Sequence, residues 1–357
     1  MPAYKDEQRG TWYSKFYYQT WDGERKQKKK RGFRTRREAV EFEDKFLKTI
    51  AGDVNMPFEA FAKVYMEDMS HRLRQSTVES KRFMIDLKLI PFFGKKPLNE
   101  IKATDVRRWQ NEMMSKGYSP TYLKTLNNQL TAIFNYAVKY YSLSENPCHK
   151  AGSMGKKKAE EMQFWTFEEY SKFEQAVRHK IRTHTAFELL YYTGMRIGEL
   201  LALTPSDVVL KACTISISKT YQRLGGKDVV TPPKTPKSKR VISIPEFLRD
   251  ELKDYLSSIY GLKDTDRIFP VTKYALTHDM ENYSKKAGIK KIRLHDLRHS
   301  HASLLIEKGF SPLLIADRLG HENVETTLNT YSHLYPTKES ELISCLQGLK
   351  SMNNMKT

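Results

Sequence analysis

Long apolar runs are missing from this chain of 357 residues. None approaches the roughly 20 residues that a membrane-spanning helix needs, so no membrane partner is expected. The N-terminus has no apolar core segment of the kind a secretory leader carries, and no signal peptide is expected. Cysteine is scarce. Cys148, Cys213 and Cys345 lie far apart, which excludes a disulfide framework and fits a reducing, cytoplasmic location. Acidic residues are in deficit, 42 against 61 Lys and Arg, for a formal net charge of +19. Such an excess asks for a polyanionic partner, although charge alone would equally suit a ribosomal or membrane-surface protein. No internal repeat is present. The length allows two or three domains.

What the chain does have is concentrated between Lys291 and Tyr335. His295 and Arg298 are three residues apart and share one face if the segment is helical. Ala302, Leu304, Leu305 and Ile306 fit a helix that buries its other side. Pro312 to Leu319 reads as a second short helix, with Gly320 just past its end. His321 follows, and Tyr331 comes ten residues later. A phosphodiester gains charge in the transition state of its cleavage. A metal-free site for that reaction needs fixed cations, a proton donor and a nucleophile. Arg offers a charged fork for two phosphate oxygens, His moves a proton near neutral pH, and Tyr can form a covalent ester with phosphorus.

Two upstream stretches supply further groups. Tyr192 to Leu200 follows an apolar, helix-like run, and Gly194 permits a turn that sets Arg196 at the start of the next helix. Pro233 to Arg240 is a basic loop ahead of Val241–Ile244, which alternates like a strand. Cys213 to Tyr221 also reads as strand, so a β-hairpin is expected to carry a lysine toward the site.

Taken in order, TGMRIGELLAL, PPKTPKSKR, HDLRHSHAS, LGH and the Thr330-Tyr331 pair resemble the tyrosine recombinase (phage integrase) family. The closest likeness is to integrases of prophages and integrative conjugative elements that carry an N-terminal arm-binding domain. Each motif is weak alone; five in sequence over about half the chain are specific. The resemblance implies a site-specific DNA recombinase that cuts and rejoins DNA through a 3′-phosphotyrosyl link. Tyr331 matches the nucleophile. Arg196 and Arg298 match the pair that clamps the non-bridging oxygens, and Lys234 matches the lysine that protonates the leaving 5′-oxygen. His295 is expected to assist proton transfer, as base toward the tyrosine. His321 is expected to hydrogen-bond the phosphate, and Glu199 to support the site. No metal and no high-energy cofactor is implied.

Plainer readings stand beside these. Tyr335 is a second tyrosine close by. Arg196 and Glu199 alone would be a helix-face ion pair. His295, His299 and His301 alone would be structural histidines, and the i, i+4 spacing of His295 and His299 even suits zinc. The helix lacks the Glu of a zinc-protease motif, however, and no Cys pair closes a site. Lys237 and Lys239 share the loop of Lys234, whose Pro-Lys-Thr setting favours it.

The expected architecture is multidomain α+β. Residues 1–52 read as a small β-sheet-plus-helix module: Thr11 to Tyr18 is aromatic and strand-favouring, Trp21-Asp22-Gly23 is a turn, and Thr35 caps a helix with Ala39, Phe42, Phe46 and Ile50 on one side. It resembles the family's arm-type DNA-binding domain, with Lys28, Lys29, Lys30 and Arg31 facing phosphate on a basic hairpin loop. Residues 56–148 read as an all-helical core-binding (SAM-like) domain broken at Ile90-Pro91. Residues 149–162 have linker composition, and Lys156, Lys157 and Lys158 are expected on the DNA backbone. Residues 163–335 form a mixed α/β catalytic domain, opened by a capped helix at Thr166. Residues 336–357 hold a terminal amphipathic helix that docks on its own domain or on a neighbour.

The partners implied are double-stranded DNA at core and arm attachment sites, a homotetramer on that DNA, a directionality factor and a host DNA-bending protein. The site of action implied is the bacterial cytoplasm, at the nucleoid. The rival functions are a type IB topoisomerase-like relaxing enzyme and a non-catalytic DNA-binding protein of the same fold.

Overall fold

The computed structural model describes residues 3–7, 9–19, 25–50, 54–156, 162–233 and 235–334. Expectations at Trp21-Asp22-Gly23, Lys157, Lys158, Lys234, Tyr335 and the C-terminal helix, and for the side chain of Ile50, lie outside the described residues. The chain forms two compact units, Met1–Glu160 and Glu161–Thr357.

The first unit opens with an antiparallel sheet of β1 (Ala3–Asp6), β2 (Thr11–Gln19) and β3 (Arg25–Phe33), in that order. Helix α1 (Arg36–Ile50) covers one face. The period-2 alternation of β2 decides which face: Ser14 and Phe16 are buried, and Phe42 and Phe46 of α1 lie 6.4 and 5.3 Å from the Phe16 ring. Thr35 caps α1 as expected, accepting from the Glu38 N–H at 3.2 Å. The basic run differs from the expectation. Lys28 to Arg31 form no loop but lie in β3, paired to Phe16, Lys15, Ser14 and Tyr13. Their side chains therefore alternate between faces. Lys28 and Lys30 reach toward the rings of Phe46 and Phe42. Lys29 and Arg31 lie over Tyr13, on the face away from α1, where Arg25 also covers Tyr17.

Next come α2 (Phe58–Arg72), α3 (Gln75–Met84), α4 (Ile90–Phe93), α5 (Ala103–Ser115), α6 (Pro120–Tyr140) and α7 (Pro147–Ala151). They enclose an apolar core that includes Phe58, Phe61, Trp109, Leu126, Leu130 and Phe134. Pro91 does not break the helix before it. The turns from Ile85 to Leu89 widen to π geometry and run straight into α4. The wider turn relieves the clash between a proline ring and the carbonyl four residues back. Ser119 caps α6 with Pro120 at its first position. The composition after Pro147 suggested linker, yet Ala151 and Met154 are buried in the helical core, and the Lys156 N–H donates to the Pro120 carbonyl at 3.1 Å. Gly155 has φ +75, and a Cβ there would meet the Pro120 carbonyl at 2.1 Å, so glycine is what lets the chain pass the end of α6.

The second unit runs α8 (Phe167–Val177), α9 (Ile181–Thr193), α10 (Ile197–Leu200), β4 (Val208–Val209), β5 (Thr214–Ile217), β6 (Thr220–Leu224), β7 (Lys227–Thr231), β8 (Arg240–Ser243), α11 (Glu246–Ser257), α12 (Lys273–Lys286), α13 (Asp296–Glu307), α14 (Pro312–Leu319) and α15 (Val324–Tyr331). Its sheet has the order β4-β5-β8, and β6-β7 is a separate hairpin. The single strand expected over Cys213–Tyr221 is thus two. Cys213 takes a left-handed conformation. At Ser218-Lys219 the chain leaves the sheet, and the Lys219 ammonium pairs with Asp207 at 2.8 Å. The β6-β7 turn is the two-residue Gly225-Gly226, both with positive φ, the geometry that hairpin twist demands. Around Phe173, Phe187, Leu189, Ile215, Phe269 and Leu297 lies the main core. Among the described residues, no helix is long and apolar enough to cross a membrane.

Candidate active site

Helix α9 ends at Gly194, whose φ of +63 turns the chain back. That turn makes Arg196 the N-cap of α10 and puts Glu199 in the first helical turn, where its carboxylate accepts from the Arg196 N–H at 2.9 Å and from Nη1 at 2.8 Å. Arg240, the first residue of β8, reaches the same carboxylate from the other side at 2.9 Å and donates through Nε to the Arg318 carbonyl at 2.8 Å. Glu199 is therefore a buried anion between two guanidinium groups. Burial alone would raise its pKa; the hydrogen bond and charge of Arg240, then the charge of Arg196, outweigh it and hold the carboxyl below its ordinary value.

Arg298 lies in the first turns of α13 and is 4% exposed. Its Nη1 donates to the Gly194 carbonyl at 2.8 Å and its Nη2 to the Leu319 carbonyl at 2.6 Å. Those carbonyls close the C-terminal ends of α9 and α14, where unpaired acceptors and the negative end of the helix dipole favour a cation. Two helix ends thus aim one guanidinium. Burial first, and the Arg196 charge second, pull Arg298 down to about 9, so it stays charged at neutral pH.

Three histidines surround this cation cluster. His295 sits at the N-cap of α13, lowered by burial and by Arg298. His321 follows Gly320, which ends α14 in left-handed geometry. Its Nδ1 lies 2.7 Å from the Thr327 hydroxyl, and burial with the Arg298, Arg196 and Arg240 charges brings it to about 4. His299 lies one residue past Arg298, with its ring 5.4 Å from that of His295. Burial, then His295, take it to about 4. Its Nδ1 is 2.7 Å from the Tyr331 hydroxyl. Tyr331, the last residue of α15, is 1% exposed and belongs to a small apolar cluster with Ala302, Ile306, Ile315 and Leu319. Burial raises its phenol to about 12, with Arg298 pulling the other way.

Arg196, Glu199 and Arg298 are thus brought together, with His321, His295 and Tyr331 around them, although the hydroxyl of Tyr331 is bonded to His299 and not to an arginine. Lys234 lies outside the described residues. Of the two other lysines in its loop, Lys237 donates to the Glu322 carbonyl at 2.9 Å, beside His321. Lys28 to Arg31 are exposed in the N-terminal sheet, and Lys156 is exposed in the first unit.

Sequence reading missed three residues. Arg240 was visible as the last base of the loop, immediately before an alternating strand, the position from which a side chain returns to the site. Arg318 donates to the Tyr192 and Ser243 carbonyls and to His301, tying α14 to α9 and β8, and had no local signal. His299 was visible only as a structural or zinc-pair candidate. Among the described residues, no group of His, Cys, Asp or Glu is arranged to hold a metal ion.

Three stretches of the chain match models of known families. Residues 163–338 match the model of the phage integrase family. Residues 57–114 match that of the phage integrase N-terminal SAM-like domain, and residues 2–50 that of the Arm DNA-binding domain. The chain is similar to the ICEBs1 integrase of Bacillus subtilis (strain 168), at 29% identity over 340 residues, covering 88% of this chain and 90% of that one. It is also similar to the integrase of Staphylococcus phage L54a, at 29% identity over 293 residues, covering 71% and 81%. Among solved structures, a Tn1549 transposon integrase in complex with transposon right end DNA superposes with a TM-score of 0.67 at 21% identity, covering 82% of this chain and 99% of that one. A lambda integrase tetramer bound to a Holliday junction gives 0.59 at 19%, covering 90% and 96%. At these identities the structural matches speak to fold alone.

Proposed function

The chain belongs to the phage integrase family, and from that premise we propose that it is the integrase of a mobile element, a tyrosine-type site-specific recombinase that integrates and excises DNA through a 3′-phosphotyrosyl intermediate. The observation that carries this reading is the closeness of Arg196 to Arg298, with Tyr331 near the Arg298 charge at the end of a helix and each guanidinium held by groups that leave donors over. Arg196 is held by Glu199 and Arg298 by two helix ends. Each guanidinium has five N–H donors, so both retain donors for the non-bridging oxygens of a phosphodiester. Because the donors are fixed beforehand, little reorganisation is required as charge develops.

Tyr331 attacks phosphorus, and the 3′-phosphate becomes a tyrosyl ester while the 5′-oxygen leaves. Lys234 gives that oxygen its proton. His321 hydrogen-bonds the phosphate, His295 assists proton transfer at the tyrosine, and Glu199 holds Arg196 and Arg240 in place. Religation runs the same steps backward, so the ester conserves the bond energy.

The rest of the chain addresses the DNA. Residues 1–52 bind arm sites through the basic strand at Lys28–Arg31. Residues 56–148 grip the core site, with Lys156, Lys157 and Lys158 on the backbone where 149–162 connects to the catalytic domain at 163–335. Residues 336–357 dock onto a protomer. Four copies act on two duplexes in the bacterial cytoplasm, at the nucleoid, with a directionality factor for excision and a host protein to bend the DNA.

Covalent trapping tests the reading. The protein is mixed with a nicked duplex spanning the junction of the circularised element, denatured, and run beside Tyr331→Phe and Tyr335→Phe. An adduct lost only in Tyr331→Phe is expected. An adduct that survives in Tyr331→Phe moves the nucleophile elsewhere, and none on a verified junction returns the chain to a binding role.

A further inference from the structure

The Tyr331 side chain is buried as the chain stands. The ring is 1% exposed and packs with Ala302, Ile306, Ile315 and Leu319, and its oxygen is 2.7 Å from Nδ1 of His299. A buried hydroxyl left without a partner costs about 1–3 kcal/mol, so this contact stabilises the parked position as well as the packing does. The two rings meet edge to face, with centroids 5.6 Å apart.

We propose that His299 is a positioning residue for the nucleophile: its Nδ1 accepts the proton of the Tyr331 hydroxyl and holds the ring in the apolar cluster, so that cleavage begins by breaking this hydrogen bond. The inference rests on Tyr331 being the nucleophile. His299 faces His295, Asp296, Arg298 and Arg293 from its own helix and the segment before it, and Tyr331 from α15. In those surroundings the imidazole is neutral at pH 7, which leaves a ring nitrogen free to accept, and the phenol keeps its proton. Protonation of His299 would turn Nδ1 from acceptor into donor toward the same phenol oxygen. The residue acts through Tyr331 and takes no part in bond making or breaking.

Two variants of the full chain separate this role from packing. His299→Phe keeps a ring and removes the acceptor; His299→Gln keeps an acceptor and removes the ring. The first readout needs no DNA: nitration by tetranitromethane, mapped by peptide mass spectrometry, with buried Tyr170 and Tyr191 as internal controls for folding. Loss of one neutral hydrogen bond is worth a few-fold to about tenfold in the exposed population. Tyr331 is expected to nitrate faster by that factor in His299→Phe, with Tyr170 and Tyr191 unchanged, and to return toward wild type in His299→Gln. The second readout is the rate of adduct formation on the nicked junction duplex, expected to rise in His299→Phe by a similar factor. Unchanged nitration of Tyr331 in His299→Phe overturns the proposal. So does slower adduct formation there, which would make His299 the acceptor of the proton during attack. If the wild type forms its adduct through another tyrosine, the functional reading of Tyr331 fails, while the nitration result still decides whether His299 holds that ring.

Discussion

Replacing Glu199 by alanine should be among the most damaging single changes in the catalytic unit. The carboxylate is 3% exposed and receives Arg240, 8% exposed, at 2.9 Å and Arg196 at 2.8 Å. Breaking a buried pair by removing one partner costs about 3–5 kcal/mol, because the partner charge is left uncompensated. Here two guanidiniums lose their anion, with a third, Arg298, close enough to feel both. For a unit of this size each kcal/mol moves Tm by about 2–4 °C, so Glu199→Ala should lower Tm by roughly 6–20 °C. Calorimetry of the full chain at pH 7 measures it. Two controls fix the cause. Adding Arg240→Met to Glu199→Ala should recover part of the loss, since it removes the stranded charge, giving a coupling energy above about 1 kcal/mol. The pH dependence has a definite sign. A carboxyl held below its ordinary value contributes stability that is present above the unfolded-state value of about 4.3 and is lost as pH falls through the folded value. The gap between wild type and Glu199→Gln should therefore close as pH drops below about 4. A Tm shift under about 2 °C, or additive single and double variants, would refute this account of Glu199 as the keystone between two arginines.

Gly194→Ala should destabilise the same unit by about 2–5 kcal/mol, combining left-handed strain with overpacking. The backbone has φ +63, and the new Cβ would meet His301 at 2.6 Å and Leu319 at 2.7 Å; thermal unfolding measures the loss, and the trapping assay should slow because the Gly194 carbonyl anchors Arg298. His184 lies between Glu251 and Glu174, each at 2.7 Å. Burial opposes its charge, but the two carboxylates outweigh burial and raise it to about 9. A raised folded value contributes stability that is complete below the unfolded value near 6.5 and lost as pH rises through 9. Wild type should lose about 3 kcal/mol over that window and His184→Gln should lack the limb; parallel pH curves for the two proteins would sink this.

Much of the fold was legible because its signals are local. Thr35, Ser119 and Thr166 each accept a hydrogen bond from an N–H of the first helical turn that follows. The stripe Leu123, Leu126, Leu130, Ile133, Phe134 and Ala137 is buried as its spacing requires. The misreadings share a different cause. Charge density made β3 look like a loop, because a strand with eight of nine residues exposed has no apolar alternation to show; only its pairing to β2 reveals it. Pro91 was read by its usual effect in α-helices, and a π-turn upstream is a tertiary outcome, held by burial of Ile85, Leu89 and Phe93. Gly225-Gly226 was legible and was passed over. The segment after Pro147 looked like linker because its two anchors, Ala151 and Met154, are single apolar residues with no period.

In the site, the residues that sequence brought forward are those with chemistry in short motifs, and the ones it missed act by placement. Arg240, Arg318 and His299 each connect elements distant in sequence. Arg240 is 41 residues from Glu199, Arg318 is 126 from Tyr192, and His299 is 32 from Tyr331. Their effect is collective. Arg196, Arg240 and Arg298 stand around one carboxylate, so the site carries surplus positive charge in its resting form. Burial first, and that surplus second, push Arg298, His295, His299 and His321 toward their neutral forms. A phosphodiester anion between Arg196 and Arg298 would offset only the charge part of that effect and leave burial, the larger cause for each of the four, in place.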